Sequence, residues 1–129
     1  MSDLLLDTHV VLWWLADDPR LAARTREQVT QASAVHVSAA TTWEVAIKSA
    51  IGRLALDLDE GATFPMICAA QGFSLAGVDH RDAWAVVDLP PSRTDPFDRL
   101  IAATALRRGW IIVSADPVFD GLGVAVLRP

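Results

Sequence analysis

The sequence predicts an α/β fold, a central parallel sheet with helices on both of its faces, from three observations. Short apolar runs of strand length alternate with helical stretches along the whole chain, and that alternation calls for parallel strands joined by right-handed crossovers. The first run, Leu4-Leu5-Leu6, is continuous rather than alternating, as a strand buried on both faces requires. A hydrophobic content of 52% against 21% charged residues, with mean hydropathy +0.30, supplies the apolar surface for two helical layers. With 129 residues the expectation is one domain spanning 1–129, burying about two thirds of its unfolded surface.

In chain order, Leu4 to Leu6 reads as strand one and Thr8 to Leu15 as the first helix, so Asp7 sits where a central strand ends. Asp17-Asp18-Pro19 breaks the chain, and a polar helix is expected over 20–31. Val35-His36-Val37 is the second strand, followed by a helix over 39–51 that Gly52 stops. After a connector over 54–59, a weaker helix is expected over 60–71 despite Gly61 and Pro65. The third strand runs over 73–78, Asp79 caps a short helix reaching Val87 with Asp82 three residues on, and Pro90-Pro91 marks a loop.

The best-defined element is the next helix. Asp95 is its N-cap, Pro96 occupies the first position where no amide donor is needed, and Gly109 after Arg107-Arg108 ends it. Asp98 is its anomaly, because Ile101, Ala102 and Ala105 lie three, four and seven residues on, placing the carboxylate on the buried face. Trp110 to Val113 forms the fourth strand, Ser114-Ala115-Asp116-Pro117 closes it, and Val124 to Leu127 forms the fifth.

In a parallel sheet ligands gather at the carboxyl ends of the strands. Asp7 and Asp116 follow strands one and four there, while Glu44 and Asp98 are expected in the first turns of helices that start at the same edge. Each acid also has a structural reading: Asp7 as a helix cap, Glu44 in a capping box with Thr41 or paired with Lys48, Asp98 as a dipole complement, Asp116 as the start of a turn at Pro117. Jointly they point elsewhere, since clustered like charges are costly without a cation, and hard oxygen ligands suit Mg²⁺ or Mn²⁺. Thr8 and Ser114 are candidates for orienting water or metal, or for plain capping. Asp95 and Asp120 read as a cap and a solvated loop position, His9 as a helix-facing structural residue, and His36 and His80 as ordinary.

Four blocks in order resemble PIN-domain ribonucleases, and among them the VapC-type toxins of type II toxin–antitoxin pairs: Leu4-Leu5-Leu6-Asp7-Thr8-His9; Ser38 to Glu44 with Ile47-Lys48 and Gly52; Asp95-Pro96-Phe97-Asp98-Arg99; and Ser114-Ala115-Asp116. The resemblance implies sheet order 3-2-1-4-5, a metal-dependent endoribonuclease, and Asp7, Glu44, Asp98 and Asp116 as catalytic, metal-binding acids. It further implies a homodimer, a VapB-type antitoxin partner, an RNA substrate, and DNA contacted only through the antitoxin. Arg93 and Arg99, flanking the acidic helix start, are the candidate RNA-binding residues; Ser92-Arg93 stands where this group often carries histidine.

Other classes have less support. No Ser-His-Asp or Cys-His spacing and no glycine-rich phosphate loop is present. A receiver-like or haloacid-dehalogenase-like phosphate enzyme would need a second acid soon after Asp7, where Thr8-His9-Val10 stands. A non-catalytic interaction domain on the same fold stays open. The net charge of −5 argues against a generally polyanion-seeking surface but not against a local basic rim. The lone Cys68 fits a reducing interior, and with no signal peptide or membrane-length apolar run the expectation is cytoplasmic. The run Val10 to Ala16 in the first helix is apolar all round, and Trp13 and Trp14 point about 100° apart; neighbouring helices of the same chain are one cover for what the sheet leaves open, and the expectation is a partner.

Overall fold

The computed structural model describes residues 2–91 and 95–129. Five strands, β1 (Leu4–Leu6), β2 (Val35–Ser38), β3 (Ser74–Ala76), β4 (Ile111–Val113) and β5 (Val126–Leu127), form one sheet in the order 3-2-1-4-5. Every adjacent pair is parallel, with Leu4 opposite Val35 and Leu6 opposite Val113, so the expected fold class and strand order are both observed. The helices are α1 (Thr8–Leu15), α2 (Ala23–Gln31), α3 (Ala39–Ala50), α4 (Phe64–Ala70), α5 (His80–Trp84) and α6 (Pro96–Arg108). Short 3₁₀ turns cover Ala85–Asp88 and Pro117–Gly121.

The period of two in β1 divides the core. Leu4 and Leu6 join Val10 and Val11 of α1, Val29 of α2, and Phe64 and Cys68 of α4 on one face. Leu5 points the other way, with Ile112, to Ile101, Ala102 and Ala105 of α6 and to Phe119. The continuous apolar run therefore reflects two covered faces. Helix α3 contributes to both clusters through Val45 and Ala40 and packs against both α1 and α6, closing the carboxyl edge of the sheet.

Several boundaries differ from expectation for local reasons. Helix α2 begins at Ala23 rather than near Arg20, because Asp18 holds Arg20 in a turn by its backbone N–H (2.9 Å) and its guanidinium (2.7 Å). Helix α4 spans 64–70 rather than 60–71: Thr63 is its cap, and Pro65 is admitted only in the first turn. The third and fifth strands are shorter than expected, as is the fourth, from which Trp110 drops out. The helix after Asp79 is α-helical only to Trp84 before tightening to 3₁₀. Gly109 ends α6 at φ 72°, donating its N–H to the Ala105 carbonyl, a left-handed position that glycine adopts without strain.

The partner surface expected on α1 is largely covered by its own chain. Trp14 meets Phe73 edge to face at 5.4 Å, donates its indole N–H to Gln71 Oε1 (3.0 Å), and lies under the Arg26 guanidinium. Trp13 packs against the same core, with Arg20 5.0 Å above its ring and His9 beside it. The large apolar side chains left exposed among the described residues lie elsewhere: Trp43 and Ile47 of α3 and Ile51 just after it, Met66, Leu75, Trp84, Val87 and Leu106.

Candidate active site

The sequence-predicted residues meet at the carboxyl edge. Asp7 follows β1 and caps α1, accepting the Thr8 N–H at 2.8 Å. Its other oxygen accepts from Ser114 Oγ (2.7 Å), at the end of β4, so the two central strands are tied together where they finish. Ser114 Oγ also accepts the Asp116 N–H (3.0 Å). Asp116 then caps the 3₁₀ turn through the Val118 N–H, as the Pro117 reading expects.

Glu44 lies in the second turn of α3, not the first, because Ser38 is the N-cap and accepts from Ala40. No capping box with Thr41 forms. Thr8 Oγ1 donates its one proton to Glu44 Oε1 (2.7 Å), so the Thr41 hydroxyl, 3.2 Å from Thr8 Oγ1, donates to Thr8. Lys48 closes on the other Glu44 oxygen at 2.7 Å. Thr8 thus links α1 to α3 beneath the site, and both threonines are buried.

Asp98 behaves differently. Asp95 caps α6, accepting the Phe97 N–H at 2.8 Å, so the helix start is served without Asp98. The Asp98 carboxyl is half-buried, and burial first, then the charges of Asp7, Asp95, Asp116 and Glu44, push its pKa up to about 7. Those four influences show that the acids expected to converge share one electrostatic neighbourhood. Burial likewise raises Asp7, opposed by its hydrogen bonds from Ser114 and Thr8 and by nearby His9, and reinforced by Glu44. Deficient neutralisation of this kind suits a hard divalent cation, and carboxylates are the donors it prefers. Among the described residues no three acidic, His or Cys side chains stand together as a finished ligand set. The donor set thus fits in type and charge, while Glu44 and Asp116 are turned onto Lys48 and Val118.

Of the candidate RNA-binding residues, Arg99 donates to the Pro90 carbonyl (3.0 Å), bracing the loop before α6. Arg93 lies outside the described residues. Asp120, expected to be solvated, is exposed and pairs with Arg128. His9 is exposed, His36 stacks on Trp110 at 3.7 Å and meets Asp3, and Asp79 with Asp82 forms the expected capping box.

Two features were not anticipated. Asp82 is fully buried and accepts from Arg107 (2.8 Å) and Arg108, a doublet that the sequence marks only as the end of its helix. Burial works against its charge, yet hydrogen bonds from Arg108, the Asp79 amide and Arg107 hold the Asp82 carboxyl down to about 2. The other is the contact of Trp43 with Phe97, each one residue before a site acid; adjacency to Glu44 and Asp98 was its only signal.

A parallel five-stranded sheet of order 3-2-1-4-5 flanked by helices defines the class as a three-layer α/β fold, and similarity to known proteins narrows it to the PIN-like members. The PIN domain family model matches residues 4–124. Ribonuclease VapC22 of Mycobacterium tuberculosis (strain ATCC 25618 / H37Rv) is 32% identical over 117 residues, covering 90% of this chain and 88% of that protein. The chain belongs to the PIN-domain family, in its VapC-type group. Solved structures share the fold: VapBC2 from Rickettsia felis bound to a DNA fragment from its promoter (TM-score 0.71, 10% identity, 98% of each chain), and VapBC-5 from Mycobacterium tuberculosis (TM-score 0.61, 18% identity, 99% of this chain and 98% of that one).

Proposed function

We propose that this protein is a metal-dependent endoribonuclease and the toxin of a VapBC-type toxin–antitoxin pair. The observation that carries the reading is Asp98, a carboxyl surplus to the capping of its helix and raised to about 7 among the charges of Asp7, Asp95, Asp116 and Glu44. Membership beside a relative named as a ribonuclease supports the substrate class.

Asp7, Asp98 and Asp116, with Glu44 directly or through water, are the residues that would hold Mg²⁺ or Mn²⁺. When bound, the cation supplies neutralisation of the acidic cluster and of the RNA phosphate, together with an activated water. The chain does the rest. Ser114 and the Thr8 amide fix the Asp7 carboxylate from two sides, so its rotamer is set before substrate arrives. Thr8 and Lys48 do the same for Glu44. Arg99, braced on Pro90, lends positive charge at the start of α6 to an otherwise acidic approach.

The test is cleavage of single-stranded RNA by the purified protein with Mn²⁺, with and without chelator. Turnover that chelator abolishes and Mn²⁺ restores is the expected result; chelator-resistant turnover, or none with any divalent metal, refutes it. A VapB-type antitoxin partner is supported by the similar VapBC structures, two of them bound to DNA, so DNA contact would come through that partner. Homodimerisation belongs to the same reading, with the exposed Trp84, Val87 and Leu106 as its surface rather than α1. A monomer by light scattering at micromolar concentration would refute it.

A further inference from the structure

The residue before each of two site acids is aromatic, and the two rings touch. Trp43 precedes Glu44 on α3, Phe97 precedes Asp98 on α6, and their rings meet edge to face at 5.2 Å and 69°. Neither ring belongs to either core cluster, and Trp43 leaves 61% of its surface open. An indole is among the largest apolar areas a chain can bury, so its exposure beside the most acidic part of the fold calls for an occupant. The contact with Phe97 restrains the indole, so less side-chain freedom is lost when something stacks on it.

Charge decides what that occupant is. The chain carries −5, and an RNA backbone approaching Asp7, Asp98 and Asp116 gains little from the protein's own field. Affinity must then come from contacts that do not depend on charge, and base-on-aromatic stacking is the sequence-tolerant one that single strands offer, about 1–3 kcal/mol per base. We infer that Trp43, steadied by Phe97, is the stacking platform for an unpaired base beside the phosphodiester that is cleaved. The inference rests on the ribonuclease reading and adds what the site recognises: a splayed base, hence unpaired RNA.

The test uses a fluorophore–quencher single-stranded RNA with Mn²⁺. Trp43→Ala should raise KM about 5- to 150-fold with kcat little changed, and Trp43→Phe should recover most of the loss. The melting temperature should stay parental, because the ring lies outside the core. Replacing single nucleotides of the RNA by abasic residues should identify one position whose loss costs the parental protein about as much as Trp43→Ala does. At that position Trp43→Ala should cost nothing more. An unchanged KM in Trp43→Ala, or abasic and Trp43→Ala effects that multiply at every position, overturns the inference while leaving the ribonuclease reading intact. A Trp43→Ala protein that cleaves normally but fails to capture a protein partner also overturns it, giving the ring to a protein interface. Absence of cleavage by the parental protein is the separate result that sinks the ribonuclease reading and this inference with it.

Discussion

Replacing Asp98 by Asn tests whether the acids at the carboxyl edge share a field that needs a cation. The variant keeps the shape of the side chain and removes the charge. The Asp98 carboxyl titrates at about 7 rather than 3.8, a shift of about 3 units, or about 4 kcal/mol if fully felt. Half-exposure and counterion screening reduce that to about 1–2 kcal/mol, and the favourable position at the start of α6 offsets about 0.3–1 kcal/mol of it. The sign follows from the raised folded-state value. Below pH 4 the group is protonated in the folded chain and costs nothing; the penalty grows as pH rises from about 4 to about 7 and is constant above. In chelator at pH 8, Asp98→Asn should therefore melt a few degrees above the parental protein, and at pH 4 the two should coincide. Saturating Mn²⁺ should then raise the parental melting temperature and leave the variant nearly unmoved. A variant equal to or less stable than the parent at pH 8, or a gain that persists at pH 4, would show that Asp98 is not under like-charge strain, and the argument for a cation would fail.

Other substitutions separate scaffold from site. Asp82→Asn should cost about 3–5 kcal/mol in urea unfolding, since Arg107 and Arg108 lose the buried charge they share. Because Asp82 is held at about 2, its contribution should be fully present above pH 4 and disappear as pH falls towards 2; a variant within 0.5 kcal/mol of the parent would contradict this. Ser114→Ala removes the donor that lowers Asp7, so the rising limb of the cleavage pH profile should move to higher pH, with about 1–3 kcal/mol lost in stability. An unmoved limb would show that Asp7 does not titrate in the active range. Arg99→Ala should weaken RNA binding and reduce its log–log salt slope by about 0.7; an unchanged slope would confine Arg99 to bracing the Pro90 loop.

How much was legible depended on whether the signal was local. The strand β1 was readable because three leucines between two aspartates can only be buried on both faces, and α6 because its cap, first-turn proline and terminal glycine are all written in the chain. Helix α4 was overextended because the pattern does not tell whether Pro65 sits inside a helix or opens one; Thr63 settles that only through its bond to Met66. The covering of Trp13 and Trp14 was illegible for a different reason. It depends on Arg20, Arg26, Gln71 and Phe73, residues up to 59 positions away whose approach no periodicity encodes. Asp82 shows the same limit, its two arginines arriving 25 and 26 positions later.

At the carboxyl edge a site acid could not be told from a capping acid by sequence, and the structure explains why. In a parallel sheet the helices that follow the strands start at the carboxyl edge, so an acid capping such a helix already stands where a catalytic acid must stand. Asp7 and Asp116 do cap, at Thr8 and Val118, and a ligand role would not require them to be anywhere else. Capping is therefore no argument against function at these positions, nor function against capping. What separates the readings is redundancy. Helix α6 needs one cap, and Asp95 provides it; Asp98 is then a second carboxyl, half-buried, unfavourably placed among Asp7, Asp95, Asp116 and Glu44, and not needed for capping. A fold selected only for stability would lose such a charge readily, since an asparagine there fits the same helix. Capping does not account for its presence, and a divalent cation bound there, as proposed, would.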